Sequence, residues 1–154
     1  MFSGMTGGME VKGFIIILAI GLFLIPASSL YAQSGSITVE VSGINAIEGQ
    51  VSIGLYTDET SFPVRGKVFM GANVKVTGNA LTYTFGDVPL GTYAIAISHD
   101  SNSNGKLDKN FIGIPTEGYA FSNNRFGIFG KPPEFKDASF ELTGDKTIRI
   151  TIKY

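Results

Sequence analysis

Apolar and polar residues alternate with a period of two along most of the chain beyond Ser36. In SITVEVS, Ile37, Val39 and Val41 fall on one face and Thr38 and Glu40 on the other. QVSIGLYT repeats this with Val51, Ile53 and Leu55, and LTYTF with Leu81, Tyr83 and Phe85. TYAIAIS sets Tyr93, Ile95 and Ile97 against Ala94 and Ala96. NVKVT, ASFELT and TIRITIKY complete the set, the last with Ile148, Ile150 and Ile152 pointing inward. Side chains of an extended chain alternate between faces, so each stretch predicts a half-buried antiparallel strand. Turn signals separate them: Gly43 after Ser42, TGN from Thr77, GDVPLG from Gly86 and TGD from Thr143. No segment has a helical period, although DETSFP suits one short turn. The prediction is an all-β protein, an antiparallel β-sandwich of about seven strands.

Two regions break the alternation. Near the start, Lys12 precedes GFIIILAIGLFLI, an apolar run of 13 residues, followed by Pro26, small residues and LYAQ. That order is the layout of a secretory signal peptide, and the run is short of the roughly 20 residues a membrane span needs. Residues 1–32 are therefore expected to be a signal peptide cleaved after Ala32. Residues 33–154 are then a single sandwich domain with no membrane span, exported to the periplasm or the exterior; the competing expectation is an uncleaved N-terminal anchor. The second region, residues 99–137, is polar at first and then rich in Gly, Pro and aromatics. Phe111, Tyr119, Phe121, Phe126, Phe129 and Phe135 carry too much apolar surface to stay solvated. The region is expected to fold as one long ordered loop over an open end of the sandwich, with FIGI as a short strand.

Charge and composition exclude several classes. Lys and Arg number 12 against 13 Asp and Glu, spread along the chain, so no basic stripe suits a nucleic-acid backbone. Cysteine is absent, which removes disulfides, thiolate metal sites and thiol nucleophiles.

The candidate chemistry lies in HDSNSNGKLDKN, residues 99–110. With Asp100 as position one, Asp100, Asn102 and Asn104 occupy positions 1, 3 and 5 and Gly105 position 6. Lys106 offers its carbonyl at 7, and Asp108 stands at 9. This is the first three-quarters of an oxygen-donor calcium loop, in which alternate side chains of a coiled segment converge on one hard cation. Position 12 is Phe111 rather than a bidentate Glu, so Glu117 is the expected final carboxylate, with modest affinity. A metal-free turn cluster competes closely, because Asp and Asn bond their own backbone two residues on and Asn-Gly favours turns. A remote alternative is a hydrolase built on His99, Asp100 and Glu117. Adjacent strand residues point to opposite faces, so a structural hydrogen bond is the better expectation for His99.

YTFGDVPLGTYAIAI resembles a signature of prealbumin-like sandwiches, among them carboxypeptidase regulatory domains and collagen-adhesin B-type repeats. A longer resemblance, over residues 34–154, is to the bacterial family of domain of unknown function 2141, mostly small exported proteins. It is carried by GTYAIAISHDSNSNGKLDKNFIGIPTEGYAFSNN, by FGIFGKPPEF and by ASFEL. These resemblances imply a secreted sandwich with a prealbumin-like Greek key and imply nothing about activity. Asp100, Asn102, Asn104, Gly105 and Asp108 stand at that family's Asp-Asn motif, and Glu117, Ser122, Asn123 and Asn124 at its next one.

The expected function is a non-enzymatic exported module whose Asp/Asn loop, ordered by structural calcium, supports an interaction surface. Tyr119, Phe121, Asn123, Asn124 and Phe126 are the candidates for that surface. The alternative is a metal-free module that binds carbohydrate or an envelope protein through the aromatic 111–135 loop. The competing reading for the rings is that they plug the sandwich end, with Ser122, Asn123 and Asn124 bonded to backbone.

Overall fold

The computed structural model describes Gly4 and residues 33–128 and 131–154. The expected signal peptide, Gly4 apart, and Phe129 lie outside them. The chain divides into two units, Met1–Leu30 and Tyr31–Tyr154, and the β-domain is the second.

The alternating segments form strands in two sheets. β1 (Ser34–Ser42) lies between β4 (Ala80–Pro89) and β8 (Lys146–Thr151). The second sheet runs β3 (Met70–Lys75), β2 (Gln50–Tyr56), β5 (Gly91–Asp100), β6 (Gly118–Phe121), and β7 (Phe140–Leu142) pairs with the start of β5. A 3-10 turn, Ser122–Asn124, follows β6, and the single-turn helix α1 spans Phe135–Ala138.

The faces are those the alternation predicts. Ile37, Val39 and Val41 of β1 share one buried core with Val51, Ile53 and Leu55 of β2 and with Ile95, Ile97 and Ile150 of the neighbouring strands. Each fully buried aliphatic side chain contributes about 1.5–3 kcal/mol relative to exposure. Tyr93 packs into this core while its hydroxyl donates to the Pro89 carbonyl at 2.7 Å, pinning the corner between β4 and β5. A second cluster lies on the opposite face of β5. Tyr56, Phe62, Ala94, Phe121 and Ala138 are buried there, with Phe126 and Phe135 packed against them.

Four expectations are corrected. GYAF, assigned to the long loop, is instead β6 and pairs antiparallel with residues 96–99 of β5, which brings the strands among the described residues to eight, in keeping with the expected sandwich of about seven. FIGI is not a strand: Phe111 is 99% exposed, so its apolar surface does not hold the loop down. β8 runs parallel to β1, a direction that alternation alone does not encode. The turn assigned to GDVPLG is displaced, since β4 continues to Pro89 past Asp87, whose φ is 53°. DETSFP does turn: an Asp58 carboxylate oxygen accepts the Thr60 and Ser61 backbone N–H groups at 2.8 and 2.9 Å.

Leu55→Ala is expected to cost about 2–5 kcal/mol in chemical denaturation, the range for a large core truncation that leaves a cavity. Phe111→Asp, on the exposed tip, is expected to stay within about 0.5 kcal/mol of the parent. A large loss from the second substitution would show that the tip is packed in solution.

Candidate functional site

At the end of β5 the alternation sends neighbouring residues apart. His99 follows Tyr93, Ile95 and Ile97 to the core side. Its Nε2 lies 2.9 Å from the Glu48 carbonyl and its Nδ1 2.6 Å from the Tyr154 hydroxyl. A carbonyl only accepts, so Nε2 carries a hydrogen and donates it to Glu48. Asp100 follows Ala94, Ala96 and Ser98 to the outer side. Among the described residues no hydrogen bond joins His99, Asp100 and Glu117 to one another, so the hydrolase reading has no constellation behind it.

Asp100 is fully buried, and its carboxylate is the hub of the loop. Oδ1 accepts the Asn104 N–H at 3.0 Å, and Oδ2 accepts the Gly105 N–H at 2.9 Å and the Gln50 amide at 3.2 Å. Gly105, with φ of 78°, turns the chain back toward the strand, a left-handed conformation that suits glycine. Asn102 and Asn104 build successive Asx turns. The Asn102 Oδ1 accepts the Asn104 N–H at 3.0 Å, and the Asn104 Oδ1 accepts the Lys106 N–H at 2.8 Å. Their amide nitrogens both donate to Asp108, at 2.7 Å from Asn102 and 3.0 Å from Asn104. Glu117, 7% exposed, closes the loop from the far side. Oε1 accepts the Ser101 N–H and Oε2 the Asp108 N–H, each at 3.0 Å. Asp100, Asn102, Asn104, Asp108 and Glu117 are therefore joined in one network, in which Lys106 takes part through its backbone.

Burial pushes the Asp100 carboxyl up. The donors from Gln50, Gly105 and Asn104, with the positive charge of Arg65, outweigh it and hold the group below the usual carboxylate value. Among the described residues no three His, Asp or Glu side chains converge as an ion-holding group, so a cation here would draw on the amide and backbone oxygens as well.

The second set of candidate residues divides in two. Asn123 donates to the Asp137 and Ser139 carbonyls, and Asn124 exchanges hydrogen bonds with Arg149 and Thr151 in β8. Ser122 is buried, receives the Ile95 N–H at 2.8 Å and donates to the Ala138 carbonyl. These three side chains join β5, α1 and β8 to one another. Tyr119, Phe121 and Phe126 pack edge-to-face at 5.8–6.2 Å, and Lys153 sits 4.1 Å from the Phe126 ring centre. Phe121 is buried, whereas Tyr119 and Phe126 are half-buried.

Between these rings and the Asp/Asn loop lies a surface that motif reading does not find. The outer face of the five-stranded sheet carries two cross-strand rows: Asn73, Ser52, Ser98, Tyr119 and Gly71, Gly54, Ala96, Phe121. Small side chains make this face a hollow floor. A methyl group on Gly54 would lie 2.9 Å from the Tyr56 ring and the Val68 side chain, so glycine there lets these two side chains pack down onto the strand. The 57–69 segment walls it with Val64, Arg65 and Val68, and the Asp/Asn loop with Lys106, Leu107 and Lys109. The resulting groove has a volume of about 750 Å³. The signal in the sequence was the run of Ser, Gly and Ala at the outward positions of β2 and β5, where a solvated sheet face usually carries charge.

The family model for uncharacterized proteins conserved in bacteria, DUF2141, matches residues 39–151, which include both sheets and the groove. The chain belongs to the DUF2141 family. No curated protein and no solved structure matches it. Within this DUF2141 domain Lys106, Leu107 and Lys109 of the Asp/Asn loop line the groove, while the motif side chains bond within the loop. No described helix is long and apolar enough to cross a membrane.

Asp100→Asn is expected to lower the melting temperature at neutral pH, because an amide cannot replace an acceptor of three donors. The folded pKa of Asp100 lies below its unfolded value of about 3.9. Its contribution is therefore complete above that pH and is lost as pH falls through the depressed folded value. Melts from neutral pH into acid should show the gap between parent and variant closing below about pH 4. A gap that stays constant would contradict the assignment.

Proposed function

We propose that this domain is an exported, non-catalytic binding module whose ligand surface is the groove on the outer face of the five-stranded sheet. The observation that carries the reading is the floor: two cross-strand rows of mostly small side chains, walled by loops on both sides. A sheet face with no further role would be solvated and charged or covered by another element. Here it is hollow, and the network around Asp100 and Glu117 fixes one wall in place. Concave surfaces with a mostly apolar lining and a few placed polar groups are where ligands bind. The reading keeps the interaction surface near Tyr119 and Phe121, moves it from the loop rings to the sheet, and gives the Asp/Asn loop a supporting role.

A second reading concerns that support. Calcium bound by Asp100, Asn102, Asn104, the Lys106 carbonyl, Asp108 and Glu117 would stabilise the loop by mass action. The observation that favours it is the gathering of three carboxylates in one short network, two of them buried. A hard cation there would draw on carboxylate, amide and backbone oxygens together.

Two measurements separate these readings. Ser98→Trp fills the floor, so ligands found by a thermal-shift screen of saccharides, peptides and lipids should lose binding in that variant while its own melting curve stays cooperative. Hits that survive the substitution would place the binding surface elsewhere. In a parallel titration, millimolar calcium is expected to raise the melting temperature of the parent and not of Asp108→Ala, and chelator should reverse it. An unchanged parent melting curve would remove the ion and leave the groove.

A further inference from the structure

The groove has a charge imbalance that the chain as a whole lacks. Arg65, Lys106 and Lys109 line it, and among the described residues no Asp or Glu does. Among the described residues the ion pairs are Lys136–Glu134 and Arg149–Glu40, so none of the three groove cations is paired. Arg65 lines the groove from the 57–69 wall, and its positive charge also bears on Asp100. Asp100 does not neutralise it from within the groove: it is fully buried, with both oxygens already holding donors. Unpaired cations on the walls of a concave, mostly apolar surface focus a positive field and attract anions.

The floor narrows the kind of anion. One row is hydroxyl- and amide-bearing, with Ser52 donating to Asn73 at 2.7 Å and Ser98 beside it; the other row is apolar, Gly54 and Ala96. The half-buried Tyr119 ring flanks the polar row. Hydroxyl partners beside apolar patches and an aromatic edge match sugar rings, which carry hydroxyls around an apolar face. An extended peptide would find no main-chain donors on a sheet face, since those lie at sheet edges. A fatty acid would cover the Ser98 hydroxyl without offering it a partner.

We propose that the groove takes an acidic saccharide. Its rings lie on the Ser52, Gly54, Ala96 and Ser98 floor, and its carboxylate or sulfate groups meet Arg65, Lys106 and Lys109. The guanidinium fork suits two oxygens of either anion, and the lysines act as point charges. The inference rests on the groove being the ligand surface, and the experiment tells the two apart.

Calorimetric titration of the full domain uses three oligosaccharides of equal length: an oligogalacturonate, a sulfated galactan fragment and the neutral galactan. The parent, Ser98→Trp and the double variant Arg65→Ala/Lys109→Ala are compared, each shown to melt cooperatively. The expected result is that one or both acidic probes bind the parent at least about tenfold tighter than the neutral one. That preference should shrink in the double variant and at about 0.5 M salt, and all binding should be lost in Ser98→Trp. The tighter acidic probe identifies the anion as carboxylate or sulfate. Equal binding of neutral and acidic probes, abolished by Ser98→Trp, would overturn the acidic ligand and keep the groove. Acidic binding that Ser98→Trp leaves intact would overturn the groove as well. Failure of all three probes to bind the parent, or groove binding by acidic peptides or fatty acids instead, would overturn the saccharide.

Discussion

Strand β5 is packed on both faces, and what it places on each face governs the rest of the domain. Tyr93, Ile95 and Ile97 join the inter-sheet core, while Ala94 is buried in the aromatic cluster on the other side and Ala96 and Ser98 floor the groove. The strand also pairs with β2, β6 and β7, so a slip of one residue would put isoleucines into the groove and alanines into the core. The last two residues carry the alternation into the polar part of the molecule. His99 turns inward to hold the Glu48 carbonyl and Tyr154, and Asp100 turns outward to anchor the loop.

The loop that follows is held electrostatically rather than by apolar packing. Asp100 and Glu117 accept backbone N–H groups from both arms of the loop. Charged acceptors make the stronger hydrogen bonds, and a buried carboxylate without donors would be costly, so the loop curls until its amides reach them. The same curl carries Lys106 and Lys109 to the wall of the groove, so the network of acidic and amide side chains positions the cations that face a ligand. Beyond it, Phe111 projects into solvent, which shows how little the apolar tip adds to this anchoring.

The aromatic stretch shows a different balance. Tyr119 and Phe121 lie in a strand, and with Phe126 they pack edge-to-face against one another, Phe121 also meeting Phe62. Ser122, Asn123 and Asn124 then join three elements through their side chains, with Asn123 and Asn124 at positive φ. Of the two expectations for this segment, a ring surface or a plug tied down by Ser122, Asn123 and Asn124, the backbone bonds of the second are present, and Tyr119 and Phe121 reach the groove.

The all-β class and the inward residues of β1, β2, β5 and β8 were legible in the sequence, because burial on one face of a strand imposes a period of two that survives in any context; the resemblance to DUF2141 rested on motifs instead. The sequence also marked Asp100, Asn102, Asn104, Asp108 and Glu117 as one group, since short polar side chains around a glycine have few conformations available. The parallel pairing of β8 with β1, the extra strand β6 and the solvated Phe111 were decided in three dimensions, because pairing direction and partners depend on residues distant in the chain. The groove belongs to that second kind. Its rows join residues from four strands, and its unpaired cations come from two separate loops, so no local window of sequence contains it.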